Sequence, residues 1–239
     1  MQILNAVGLK KNFGGLTAVD DVDFDVDQGE IMGLIGPNGA GKTTFFNLIS
    51  GAIPLDSGTV TFNGVKSSGS KPHQICRLGI GRTFQTAKNF PGMSVRENAS
   101  MGALFGEKGK SRKQAEQEVE LVLDFVGLSE LRERHIPDLT LAAQKRVEVA
   151  RALATKPTLL MLDETMAGLN PTEVEEAMEL VRKIRDSGIT VIMIEHVMRA
   201  IMNICDRIVV LHHGAKIAAG TPEEISTNSA VVEVYLGHG

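Results

Sequence analysis

Apolar and polar positions along the chain fall into three patterns. Val22-Asp23-Phe24-Asp25-Val26-Asp27 alternates strictly, apolar then acidic, which marks a strand with one face in a core and the other in water. Ile31-Met32-Gly33-Leu34-Ile35, Thr158-Leu159-Leu160-Met161-Leu162 and Thr190-Val191-Ile192-Met193-Ile194 are short, largely apolar runs, the pattern of strands buried on both faces. Between the runs the apolar spacing turns helical. Phe45, Phe46, Leu48 and Ile49 form one helix face before Gly51, and Ala115, Val119, Val122, Leu123 and Val126 form another, with Ser111 as N-cap and Gly127 as stop. Further helices are expected from about Gln144 to Thr155, ahead of Pro157, and from Asn170-Pro171 to Gly188, with Val174, Ala177, Met178, Val181 and Ile184 as the buried stripe. A helix over 197–204, a strand over 207–211 and a turn at His212-His213-Gly214 follow, and Thr59-Val60-Thr61-Phe62 running into Asn63-Gly64 signals a hairpin.

Strands alternating with helices imply an α/β fold with a mainly parallel sheet and right-handed crossovers. Residues 2–27 add an N-terminal antiparallel β layer, and the helical character from Pro91 to about Pro157 reads as an inserted subdomain. Composition agrees with a single folded unit: 239 residues lie within the single-domain range for α/β folds, and 43% hydrophobic with 23% charged residues supply a core and exclude disorder. A net charge of −4 gives no bulk basic field to attract nucleic acid. Cys76 and Cys205 stand far apart without C-x-x-C spacing, as expected of two reduced, mostly buried thiols. Met1 to Leu9 is followed by no small-residue cleavage site, and no run approaches the ~18 apolar residues of a membrane span, so membrane association is expected to go through a partner. Ser67-Ser68-Gly69-Ser70 is the one flexible-looking stretch.

The chemistry begins at Gly36-Pro37-Asn38-Gly39-Ala40-Gly41-Lys42-Thr43-Thr44, which fits the phosphate-loop pattern G-x-x-x-x-G-K-[ST] between an expected strand and an expected helix. Glycines let the loop wrap tightly and aim its N–H groups inward, and the following helix adds the positive end of its dipole. Lys42 is expected to reach the β- and γ-phosphates of a nucleotide, and the Thr43 hydroxyl to ligate Mg²⁺. The second half of a triphosphatase site is expected where the apolar run at 158–162 gives way to Asp163-Glu164. Asp163 would hold Mg²⁺ through water, and Glu164 would act as general base on the attacking water. Phe13, in Lys11-Asn12-Phe13-Gly14-Gly15, is by composition alone a core residue more often than a ligand.

These motifs, with three others, make the chain resemble the ATP-binding subunit of ABC transporters over nearly its whole length. Arg82-Thr83-Phe84-Gln85 looks like the glutamine loop, Ala167-Gly168-Leu169-Asn170 like the D-loop, and Ile194-Glu195-His196 like the switch histidine segment. The resemblance implies that ATP and Mg²⁺ are bound, with Gln85 sensing the metal and γ-phosphate, His196 contacting the γ-phosphate, and Phe13 stacking on adenine. It implies one ABC ATPase domain over 1–239, in which 1–90 and 157–239 form the nucleotide-binding core and β layer and 91–156 the helical subdomain with the signature. Leu139-Thr140-Leu141-Ala142-Ala143 stands where the family has Leu-Ser-Gly-Gly-Gln. Thr140 keeps the hydroxyl and Ala142 an N–H for the γ-phosphate held by an opposite subunit, but both glycines are gone. Met166-Ala167-Gly168-Leu169-Asn170-Pro171, Ile194-Glu195-His196-Val197-Met198 and Val234-Tyr235-Leu236-Gly237 narrow the resemblance to importers of branched-chain amino acids and related solutes.

That branch implies two membrane-spanning permease subunits, a second ATP-binding subunit of the same or a similar chain, a solute-binding protein acting indirectly, and a place on the cytoplasmic face of the membrane. His212 and His213 match no family position and read as turn residues. A soluble ABC-type ATPase working on nucleic acid or ribosomes is the competing reading. The chain lacks the heptads between Thr44 and Thr140 that DNA-repair relatives carry, and it has one phosphate loop where translation-factor relatives have two. A phosphate-loop kinase or small GTPase leaves Gln85, the signature region and His196 unexplained.

Overall fold

The chain opens with a long hairpin, β1 (Gln2–Phe13) and β2 (Leu16–Asp27), in which Val22, Phe24 and Val26 are buried and the intervening aspartates face outward. This computed structural model describes residues 1–84, 89–106 and 112–236; Gln85, Ser111 and Gly237, named above, lie outside them. The next elements are β3 (Ile31–Ile35), α1 (Lys42–Ile49), β4 (Ser57–Phe62), β5 (Val65–Lys66), α2 (Pro72–Leu78) and β6 (Ile80–Arg82). The helical region contains α3 (Val95–Gly106), α4 (Arg112–Phe125) and α5 (Leu141–Leu153). The chain then alternates through β7 (Leu159–Asp163), α6 (Pro171–Asp186), β8 (Thr190–Ile194), α7 (Met198–Ile204) and β9 (Arg207–His212), and ends with β10 (Ala215–Gly220), α8 (Pro222–Thr227) and α9 (Ser229–Leu236).

Local chemistry sets the boundaries. The Asn170 side chain accepts from the N–H groups of Thr172 and Glu173 and Pro171 opens α6, while Gly188 at φ +94 follows its end. Helix α5 begins three residues before the expected Gln144, because Thr140 is its N-cap: Ala143 N–H donates to Thr140 Oγ1 at 3.3 Å. The serine stretch after β5 is not loose. Ser67 is 2% exposed, and its N–H donates to the Val60 carbonyl at 2.8 Å.

Two sheets form. The four-stranded one has the order β2-β1-β4-β5 and is antiparallel; the six-stranded one has the order β10-β9-β3-β8-β7-β6, parallel except for β10. Every residue of β3, β7 and β8 is buried, and successive side chains go to opposite faces. Ile31, Ile35, Leu160, Leu162, Val191, Met193, Ile208 and Val210 join one core with apolar residues of α3 to α7. Met32, Leu34, Leu159, Met161, Ile192, Ile194, Val209 and Leu211 join a second core with α1 and the antiparallel sheet. A sheet covered on both faces needs apolar residues at every position, which is why these strands show runs rather than alternation.

The parallel register carries the carboxyl ends of β6, β7, β8, β3 and β9 to one edge. Asp163 pairs with Ile194, Leu34 with Ile194 and Ile35 with Val210. The phosphate loop, Asp163-Glu164, Glu195-His196, Arg82 and His212-His213 therefore meet at that edge, where ligands bind in open α/β sheets.

Candidate active site

The phosphate loop leaves β3 at Gly36 and enters α1 at Lys42. Two of its glycines are required by space as well as by conformation. A Cβ on Gly36 (φ +151) would lie 2.1 Å from the Leu211 carbonyl oxygen, and one on Gly41 (φ +101) 2.3 Å from that of Ala18. The loop is thus wedged between β9 and β2. Lys42 is 6% exposed and its ammonium donates to the carbonyls of Gly36 at 2.7 Å and Pro37 at 3.0 Å. Burial pushes the Lys42 ammonium below its ordinary value, while the charges of Glu164 and Asp163 work against that shift.

Beside the loop lies a cleft of about 450 Å³ whose wall includes Phe13, Thr17, Ala18, residues 38–44, Glu164, His196 and His213. Phe13 ends β1 rather than sitting in the turn, is 49% exposed, and carries the Lys11 ammonium 5.6 Å from its ring centre, so it is not a core residue. An exposed ring on the wall of a nucleotide-sized cleft suits stacking on a base. Phe13→Ala is expected to weaken ATP binding by about 1–3 kcal/mol, the usual worth of base–aromatic stacking. Equilibrium titration with ATP checks this, and an unchanged dissociation constant would remove the stacking role.

Glu164 follows β7 with φ +52, a left-handed conformation that costs a non-glycine residue on the order of 1–3 kcal/mol. Both of its backbone groups are tied: its N–H donates to the Ile194 carbonyl at 2.9 Å, and its carbonyl accepts from Lys145 Nζ at 2.7 Å. Held this way, Glu164 Oε1 lies 2.8 Å from His196 Nε2. The neighbouring Glu195 is 1% exposed and points its carboxylate back, accepting from Met166 N–H at 2.8 Å and Thr165 Oγ1 at 3.2 Å. Burial raises Glu195 to about 7 against the pull of these two bonds and of the Lys145 charge. Its contacts fasten the segment after Glu164 to the strand that carries His196.

Asp163 is 1% exposed, and Arg82 donates to its Oδ2 at 3.1 Å. The same guanidinium donates at 2.7 Å to Asn47 Oδ1 and at 2.7 Å to Ser50 Oγ. Burial pushes the Asp163 carboxyl up, and the Arg82 charge and hydrogen bond pull it down. Asp163 Oδ1 is buried and without a hydrogen-bond partner among the described residues. An orphaned carboxylate oxygen at this strand end, with the Thr43 hydroxyl in the adjoining cleft, is an all-oxygen donor set that fits Mg²⁺. Among the described residues no group of three or more His, Cys, Asp and Glu forms a metal cage. Mg²⁺ is held by one or two carboxylates plus substrate phosphates rather than by such a cage.

Not every expected residue joins this cleft. Thr140 and Ala142 lie at the start of α5 and do not line it, and Gln85 falls outside the described residues. Ala142 is helical, so the missing glycine imposes no forbidden backbone there. Ala142→Gly is therefore expected to leave turnover unchanged or to lower it, by loosening the helix start by about 0.5–1 kcal/mol. A steady-state ATPase rate several times that of the wild type would contradict a competent signature. Four residues that shape the site had been given no site role from the sequence: the Arg82 clamp, Lys145, Glu195, and His213, which was read as a turn residue. An arginine closing a short apolar segment and a glutamate beside the switch histidine were the available signals.

Residues 19–167 match the family described as ABC transporter, and residues 215–239 match branched-chain amino acid ATP-binding cassette transporter. The chain is 39% identical to the high-affinity branched-chain amino acid transport ATP-binding protein BraF of Pseudomonas aeruginosa, with 98% of each chain covered. It is 41% identical to LivG of Salmonella typhimurium, described in the same words, again over 98% of each chain. Among solved structures, the ADP conformation of an ATP-binding cassette of an ABC transporter superposes with a TM-score of 0.90 at 32% identity, covering 100% of both chains. Phosphate loop, paired carboxylate and histidine, and full-length likeness agree: the chain belongs to the ABC transporter ATP-binding family, in its branched-chain amino acid branch, and is an ATPase.

Proposed function

We propose that this chain hydrolyses Mg²⁺-ATP to drive import of branched-chain or related hydrophobic amino acids through two membrane-spanning permease subunits. The observation that carries the hydrolytic half is the Glu164–His196 pair, 2.8 Å apart, in one cleft with the phosphate loop. In this reading the N–H groups of residues 38–44, in the loop and at the start of α1, cradle the phosphates, and Lys42 neutralises charge on the β/γ-phosphates. Glu164 takes a proton from the attacking water; His196 orients Glu164 and reaches the γ-phosphate. Bound Mg²⁺, held by Thr43 and Asp163, would supply charge neutralisation at the phosphate oxygens, and Phe13 would stack on adenine. A second ATP-binding subunit would bring the N-terminus of its α5, with Thr140 and Ala142, to the γ-phosphate.

The solute follows from the names that the relatives carry. Support for a permease contact comes from a second groove, of about 640 Å³, lined by Ile75, Arg82, Phe84, Phe90, Met101 and Arg151 among others. Phe90 is 41% exposed there, and Arg82 joins the groove wall to Asp163. No helix among the described residues is long and apolar enough to cross a membrane, so the membrane would be reached through such a partner, at its cytoplasmic face. A periplasmic or surface solute-binding protein would act on the permease, not on this chain. Purification of the tagged chain from detergent-solubilised membranes tests the assembly. Two membrane-spanning subunits and a second ATP-binding subunit are expected to come with it; recovery without any membrane-spanning chain would contradict the transport assignment.

A further inference from the structure

The turn between β9 and β10 has no part in the function proposed above, yet it reaches the cleft. We infer that His213 is a nucleotide-contacting residue at the base-and-ribose end of the cleft, and that the turn is built to hold it there. This rests on the cleft being the nucleotide site. His213 is on its wall together with Phe13, Thr17 and Ala18.

The anchoring is specific to the side chain's position. Gly214 N–H donates to the Ala40 carbonyl of the phosphate loop at 3.1 Å, and the Gly214 carbonyl accepts from Asp20 N–H on β2 at 2.8 Å. Gly214 is packed tightly enough that an added Cβ would lie 3.0 Å from the Ala18 carbonyl oxygen. Gly214 is thereby fixed between the phosphate loop and β2, the strand that carries Thr17 and Ala18 of the cleft wall, and the residue just before it is held on that wall.

The backbone of His213 is left-handed, with φ +48. A glycine would occupy that conformation without strain, whereas an L-residue is held there at a cost. No core packing offsets the cost, since the residue is exposed. Its ring instead meets that of His212, with centroids 3.9 Å apart, which restrains its orientation. An imidazole offers a flat face to a base and two ring nitrogens to ribose hydroxyls or base edges. Strain kept at a ligand wall for the sake of one side chain is the pattern of a functional contact. Histidine is also one of the residues tolerated at φ > 0 in ordinary turns, so substitutions must separate the ring from the backbone.

The experiment measures equilibrium binding of ATP, ADP and inorganic tripolyphosphate to the purified full chain, as wild type, His213→Gly and His213→Asn. Glycine releases the backbone and asparagine tolerates it, so both variants are expected to keep the wild-type melting temperature. Dissociation constants for ATP and ADP are expected to rise about 3- to 10-fold in both variants, the range of one lost polar or stacking contact, with tripolyphosphate unchanged. Wild-type affinity for ATP in either variant would overturn the ring contact. An equal loss of tripolyphosphate affinity would put His213 at the phosphates and overturn its place at the base end. A wild-type chain that bound neither ATP nor ADP would fail the nucleotide-site reading itself, before His213 entered.

Discussion

Glu164→Gln is expected to keep ATP binding and to lose about 10²–10⁴ in hydrolysis, the usual contribution of a general base. The substitution is nearly isosteric, and it leaves intact the two bonds that hold residue 164 at φ +52, because both are made by its backbone. An amide can still bond to His196 across the 2.8 Å contact. What it cannot do is accept a proton from water. The loss should therefore appear in kcat, with the dissociation constant for ATP and the melting temperature little changed. An ATP-bound dimer, if hydrolysis is what resets it, should accumulate in this variant. Near-normal turnover of the purified mutant would assign the base elsewhere.

Lys42→Ala is expected to abolish turnover and to weaken triphosphate binding about 10- to 150-fold, the equivalent of one charged hydrogen bond of about 1.5–3 kcal/mol. The ammonium is 6% exposed and spends two of its three N–H groups on the carbonyls of Gly36 and Pro37. It therefore does two things at once: it tethers the loop to its own helix, and it puts a positive charge where the β/γ-phosphates lie in the phosphate-loop reading. A change confined to loop geometry would weaken ADP, ATP and tripolyphosphate alike. Loss of the charge should fall hardest on the ligands with most phosphate charge. Binding titrations of all three, alongside the ATPase rate, separate the two contributions. Measurable triphosphatase activity in this variant would count against the phosphate-loop reading.

Much of this site could be read from the chain because its parts are local. The loop Gly36–Thr44 is contiguous, and β7 and β8 declare themselves as apolar runs that stop abruptly at Asp163 and near Glu195-His196. What could not be read depends on register. Arg82 meets Asp163 only because β6 lies beside β7, with Arg82 opposite Met161, across 81 positions of sequence. The left-handed backbone of Glu164 has no residue-type signal, since glutamate gives no hint of positive φ. Helix α5 starts early because a hydroxyl cap works without the glycines that usually mark that segment in the family. Two further helix starts, not anticipated above, have a purely local origin. Ser94 with Glu97, and Thr221 with Glu224, form reciprocal caps in which each acidic side chain accepts from the N-cap N–H at 2.8 Å. His213 fell between these cases: its turn was expected, but the cleft that it faces is made by β1, β2 and the phosphate loop, all far away in sequence.

In the proposed function, ATP hydrolysis at Lys42, Glu164 and His196 drives solute movement through partner subunits. Sealed vesicles carrying this chain together with the permease, second ATP-binding and solute-binding subunits proposed for it test this coupling. ATP-dependent accumulation of a branched-chain or related hydrophobic amino acid is expected, with a hydrolysis rate that rises when that solute is supplied, both lost in Glu164→Gln. Hydrolysis that is indifferent to every such solute, or uptake that persists in Glu164→Gln, would contradict it.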